Sequence, residues 1–110
     1  MENNKNLTVW STHPKENFAN SLEKYLIKKF SNNDYLCEIK VYVNDDESKE
    51  FWNNFDIHII LNERKLIDLN SGQMRNLSVS LKNKIHILLQ EDFNFSSWYE
   101  NYFIYTKKCL

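Results

Sequence analysis

Glu63 and Glu91 each follow an apolar run, where a carboxylate can serve as nucleophile or base. The runs LTVWST, FDIHIILN and IHILLQE end in Ser11-Thr12-His13, Asn62-Glu63 and Gln90-Glu91-Asp92. Such polar groups suit a small hydrogen-bonding ligand. His13 suits ligand contact, proton transfer or the capping of a following helix. A further group, Ser71-Gly72-Gln73, holds the only glycine of the chain. Glycine lets backbone approach a ligand, and the free N–H groups of a following helix start attract an anion. The plainer reading is that Gly72 turns the chain into that helix.

Other constellations are weaker. His58 and His86 occupy equivalent positions in two apolar runs, but no carboxylate or thiol is spaced to complete a metal site. They are expected as structural histidines, and no metal or cofactor is expected. No order of Ser, His and Asp, or of Cys and His, reads as a nucleophilic constellation. The aromatic residues from 93 to 105 read as core and edge packing, because they lack the basic neighbours of a base-stacking platform.

These groups need elements to position them. Residues 7–12 form an apolar strand, and Pro14 fits the first turn of a helix with Phe18, Leu22, Leu26 and Phe30 on one face. Ser31-Asn32-Asn33-Asp34 ends it. In YLCEIKVYV, Cys37, Ile39, Val41 and Val43 alternate with Glu38, Lys40 and Tyr42, which predicts an edge strand with one wet face. A short helix carries Phe51 and Trp52. DIHIILN and KIHILLQ, apolar on both faces, predict central parallel strands, joined by a helix over residues 73–82. YFIYT is a last strand. This alternation predicts an α/β fold: a flavodoxin-like, doubly wound, mostly parallel sheet of about five strands in the order 2-1-3-4-5. Ligands of such sheets sit in the crevice at the carboxyl ends of the strands.

Composition bounds the rest. A chain of 110 residues, 42% apolar and 15% aromatic, is expected to form one domain, 1–110, with a real core. The sparse Gly and Pro read as codon bias toward A and T. Fourteen basic and 15 acidic residues are interspersed, for a net charge of −1. Without a basic stripe, no nucleic-acid partner is expected. No apolar run approaches the roughly 20 residues that span a bilayer, and MENNKNL does not resemble a signal peptide. No membrane partner is expected, and cytoplasm is the expected location. Cys37 and Cys109 lack CxxC spacing and read as two incidental thiols.

Within residues 56–80, FDIHIILN and IDLNSGQMRNLSVSL resemble the nucleoside 2-deoxyribosyltransferase group. Its pattern is a strand opening with Asp, then Asp-Ser-Gly-Thr, two residues, Glu, an apolar residue, Gly and Ala. Asp56, Ser71, Gly72 and Leu77 match; Asn70, Gln73, Ser78 and Ser80 replace the Asp, Thr, Gly and Ala. Asn76 stands at the catalytic glutamate, and an amide cannot form the glycosyl–enzyme intermediate. TIR-like domains share the strand–helix order and also place a glutamate there. The resemblance implies a retained pocket whose chemistry is lost.

The leading expectation is therefore a domain binding a nucleoside- or nucleotide-like ligand through Ser11, Thr12, His13, Asn62, Ser71, Gly72, Gln73 and Asn76. An alternative is a TIR-like protein-interaction module anchored by Trp52, Trp98, Tyr99 and Tyr102. The third is an active glycosidase or transferase using Glu63 or Glu91. A protein partner or homo-oligomer stays open, because the resembled enzymes complete their sites across subunits.

Overall fold

The computed structural model describes residues 14–44, 51–95 and 101–109. The expected strand over residues 7–12 lies outside them. Among these residues, two helices, α1 (Pro14–Lys29) and α2 (Ser71–Phe93), accompany three strands, β1 (Leu36–Val43), β2 (Phe55–Asn62) and β3 (Tyr102–Lys107). The sheet order is β1-β2-β3, with β1 antiparallel and β3 parallel to β2.

Helix α1 follows from its spacing. Leu22 and Leu26 are fully buried, and Phe30, one turn on, is nearly so. Glu16 in the first turn and Lys28 and Lys29 in the last complement the helix dipole. Beyond it, the Ser31 hydroxyl donates to the Lys28 carbonyl (3.1 Å), and Asn33 Oδ1 accepts the Tyr35 N–H (2.9 Å). These bonds turn the chain into β1.

Alternation in β1 appears as expected: Ile39 and Val41 are buried and Tyr42 is exposed. Glu23 of α1 accepts the Val41 N–H at 2.8 Å, satisfying an edge-strand donor from the neighbouring helix. A 3-10 turn, Phe51–Asn54, leads into β2. Asn54 within it is buried; its carbonyl accepts the Asn44 N–H (2.6 Å) and its side-chain oxygen accepts from Lys15 Nζ (2.7 Å).

The core lies between the helices and one face of the sheet. Leu22 and Leu26 from α1, Leu81, Ile85 and Leu89 from α2, and Ile39, Ile57, Ile59 and Leu61 from the strands form one cluster. Phe18 and Tyr25 meet Phe93, at ring centroids 5.7 and 4.9 Å apart. Phe93 thus seats the last turn of α2 against α1.

The five-strand sheet in the order 2-1-3-4-5 is not what forms: among the described residues the sheet has three strands and is mixed. The decisive segment is KIHILLQ, expected as a central strand and found as the second half of the 23-residue α2. Leu81, Ile85 and Leu89 recur every four residues, and no Gly or Pro interrupts residues 73–93. The pattern that looked like a short apolar strand is the continuation of one helical stripe. With that strand gone, β2 is central but pairs antiparallel on one side, and the expected crevice has no second parallel strand from this segment.

The two cysteines are not thiols. Cys37 and Cys109 form a disulfide, with Cα atoms 6.1 Å apart. Among the described residues, no helix is long and apolar enough to cross a membrane.

Candidate functional site

The residues singled out from sequence lie in different surroundings from those expected. Ser11, Thr12 and His13, like Trp98 and Tyr99, fall outside the described residues. Asn62 closes β2 and caps the 3-10 turn Glu63–Lys65, its Oδ1 accepting the Arg64 N–H at 3.1 Å. Asn70 and Gln73 form a reciprocal capping box at the start of α2. The Gln73 N–H donates to Asn70 Oδ1 (2.8 Å), and the Asn70 N–H donates to Gln73 Oε1 (3.0 Å).

This cap satisfies a helix-start donor that was expected to face an anion. Gly72 has no positive φ, and a Cβ there would meet Asn70 Oδ1 at 3.4 Å, an ordinary contact. Ser71, Gly72, Gln73 and Asn76 are all exposed on the first turns of α2. Glu63 is exposed on its turn, and Glu91 lies near the end of α2 rather than at a strand end.

The histidines separate as well. His58 lies on β2, with Nδ1 3.0 Å from the Tyr105 hydroxyl. His86 lies on α2, with Nδ1 3.5 Å from the Tyr102 hydroxyl. Burial pushes the Tyr102 phenol well above its ordinary range, so it stays protonated. Among the described residues, no group of three His, Cys, Asp or Glu is arranged to hold a metal ion.

A concave site lies elsewhere, between the end of α1 and the middle of α2. Lys29, Phe30, Asn32 and Asn33 face Lys84, Ile87 and Leu88 across a cleft of about 450 Å³. Positions 84, 87 and 88 share one face of α2 because they are three and four residues apart. Phe30 gives a buried apolar wall, while Ile87 is half exposed at the rim. Lys29 Nζ lies 5.5 Å from the centre of the Tyr25 ring, a cation–π contact that steadies it. Asn33 spends its carbonyl oxygen on Tyr35 and keeps its amide N–H groups for donation. The described lining holds two ammonium groups, two amides and an apolar wall, with no carboxylate, thiol or imidazole. Sequence reasoning passed over these residues: 31–34 read as a helix stop and Lys84 as the start of a strand.

Beside this cleft, Tyr25 donates its hydroxyl proton to Asp92. Burial first, then that bond and the charges of Asp92 and Glu91, push the Tyr25 phenol up to about 12.

The face of the sheet opposite the helices carries a second cluster. His58 stacks on Phe103 at 5.0 Å, with Tyr42 and Tyr105 edge-on to it at 4.8 and 5.6 Å. At one end, Lys107 Nζ lies 2.7 Å from Glu38 Oε1. Ile60, in register between Glu38 and Tyr105, is only 3% exposed. Asp56 Oδ1, in register with Tyr42, is buried and finds no hydrogen-bond partner among the described residues.

No protein-family model matches the chain, and no curated protein or solved structure matches it significantly.

Proposed function

We propose that this chain is a binding domain for a nucleotide-like ligand, taken up in the cleft between the end of α1 and the middle of α2. The observation that carries this reading is the pairing of Lys29 and Lys84 across a concavity of about 450 Å³ with an apolar wall. That volume falls in the range of small-molecule sites, which are mostly apolar with a few placed polar groups. The two ammonium groups suit phosphate oxygens, and the amides of Asn32 and Asn33 suit the edge of a base. Phe30, Ile87 and Leu88 offer apolar contact to its flat face. Binding rather than turnover is the reading, because the described lining has no carboxylate or imidazole.

The test is calorimetric titration of the full chain with purine and pyrimidine nucleoside monophosphates, with inorganic phosphate alone as the control. Lys84→Ala and Lys29→Ala should each weaken a binding nucleotide by about tenfold, as the loss of one charge-assisted hydrogen bond implies. If no nucleotide binds, or both variants bind like the parent, the cleft is not the site.

A further inference from the structure

We infer that the Cys37–Cys109 disulfide is a redox switch, whose reduction by a dithiol frees the end of β3, residues 105–107, from the sheet. The switch does not depend on a ligand in the cleft. Both cysteines are partly exposed, so a reductant reaches the bond without unfolding the core. Cys37 is the fixed partner. It is the extra residue of the bulge between Leu36 and Glu38. Around it, β1 is held by its ladder to β2, by Ile39 and Val41 in the core, and by the Val41 N–H on Glu23. Cys109, by contrast, follows a strand anchored mainly at its start. Tyr102 is buried and Ile104 packs on the core, whereas Tyr105, Thr106 and Lys107 are exposed. Thr106 shares the face of Tyr102 and Ile104 by alternation, so its exposure marks where the core ends beneath β3.

What else holds residues 105–107 is weak. Among the described residues it comprises the last ladder positions on β2, an exposed hydrogen bond from Tyr105 to His58, and the Lys107–Glu38 ion pair. Solvent-facing ion pairs contribute little, and exposed ladder ends are the first backbone bonds to open. While the disulfide is intact, the end of β3 cannot leave β2 without drawing β1 with it. Ile60 shows what this latch covers. It lies outside the core cluster, in register between Glu38 and Tyr105, yet is only 3% exposed. Departure of Tyr105 and Lys107 uncovers Ile60 and opens the edge of β2 at Leu61 and Asn62. In the chemical step, a thiolate of the reductant attacks one sulfur, forms a mixed disulfide and releases the other cysteine. The second thiol of the reductant then displaces the first cysteine. Two electrons pass to the protein, both reductant protons end on Cys37 and Cys109, and the reductant leaves as its own disulfide.

The experiment is backbone NMR relaxation of the full chain before and after dithiothreitol, without denaturant. Order parameters at residues 105–107 should be about 0.85 in the oxidised protein and fall below about 0.6 on reduction. Leu22, Leu26, Ile57 and Ile59, all fully buried, should keep theirs. Cys109→Ser should show the loosened end with or without dithiothreitol, and glutathione disulfide should restore the closed end in the reduced parent alone. Glu38→Gln, which removes the ion pair and keeps the disulfide, should stay near about 0.85. Order parameters untouched by reduction would make the bond a mere staple and overturn the switch. So would loss of both helices on reduction, a disulfide that dithiothreitol reduces only in denaturant, or an end loosened by Glu38→Gln alone.

Discussion

Lys107 Nζ and Glu38 Oε1 lie 2.7 Å apart, so side chains of β1 and β3 meet although, among the described residues, each strand pairs with β2 between them. At the same end of the sheet, the Cys37–Cys109 disulfide links β1 to the residues just past β3. One covalent and one ionic link thus clasp the outer strands across the end of β2. The bulge between Leu36 and Glu38 coincides with the position of the cysteine.

The disulfide closes a long loop whose ends are 72 positions apart in sequence. In chain-entropy terms, such a link stabilises by roughly 2–4 kcal/mol. Reduction, or Cys37→Ser, should lower the unfolding free energy by about 2–4 kcal/mol and steepen the denaturant slope, because the unlinked unfolded chain exposes more surface. Alkylation followed by mass measurement of the unreduced protein should find neither thiol. Finding both alkylated would remove the clasp.

The ion pair should show in the pH dependence. The hydrogen bond from Lys107 holds the Glu38 carboxyl below its ordinary value, and the reciprocal bond raises the Lys107 ammonium. A depressed acid contributes stability above its unfolded pKa and loses it as pH falls through the folded value. A raised ammonium contributes below its unfolded pKa and loses it as pH rises through the folded one. The difference between the parent and Glu38→Gln should therefore be greatest near neutrality and vanish in strong acid. Added salt should shrink it, since both groups face solvent. A difference that persists unchanged in strong acid would contradict the pairing.

Tyr25 gives an alkaline counterpart. Its phenol, ordinarily at 10.0, ionises at about 12, so the contribution of its protonated form is complete below pH 10 and fades as pH rises through 12. Absorbance titration of tyrosinate should show a late step that Tyr25→Phe deletes. Asp92→Asn should move that step part of the way back, because burial, the largest cause, is left in place.

Much of the fold is legible in the sequence. The four-residue spacing of Phe18, Leu22, Leu26 and Phe30 announces α1, and the alternation from Cys37 to Val43 announces an edge strand. The error at residues 84–90 is physical: Ile85, Ile87 and Leu89 alternate as a strand would, while Leu81, Ile85 and Leu89 repeat as a helix does. Only the preceding stripe and the missing turn residues separate the two. The cleft was illegible because it joins a helix stop to a helix face that the strand reading had erased. The aromatic face was half legible: Tyr42 was expected on a wet face, but its meeting with His58 and Phe103 depends on register.

That ambiguity can be tested directly. In a strand, Ile85 and Ile87 would share a face and both resist charge; in α2, Ile85 is buried and Ile87 is half exposed. Ile87→Lys should cost less than about 1 kcal/mol, whereas Ile85→Ala alone should cost about 2–5 kcal/mol. Urea melts of the two variants suffice. Comparable losses would restore the strand.

Gly72 separates the two placements of a ligand. As the second residue of α2 with no positive φ, it gains from a side chain: Ala at such a position is favoured by up to about 1 kcal/mol over Gly, and the Cβ would meet Asn70 Oδ1 only at ordinary distance. Asn70→Ala, by contrast, removes the cap and should cost about 1 kcal/mol. If a nucleotide sits in the cleft of Lys29 and Lys84, Gly72→Ala should raise the melting temperature and leave nucleotide affinity untouched. If the backbone at Ser71-Gly72-Gln73 holds the ligand, the same methyl group should weaken binding while the protein itself becomes more stable. Measuring melting and affinity on this one variant therefore decides whether the ligand meets the start of α2 or its middle.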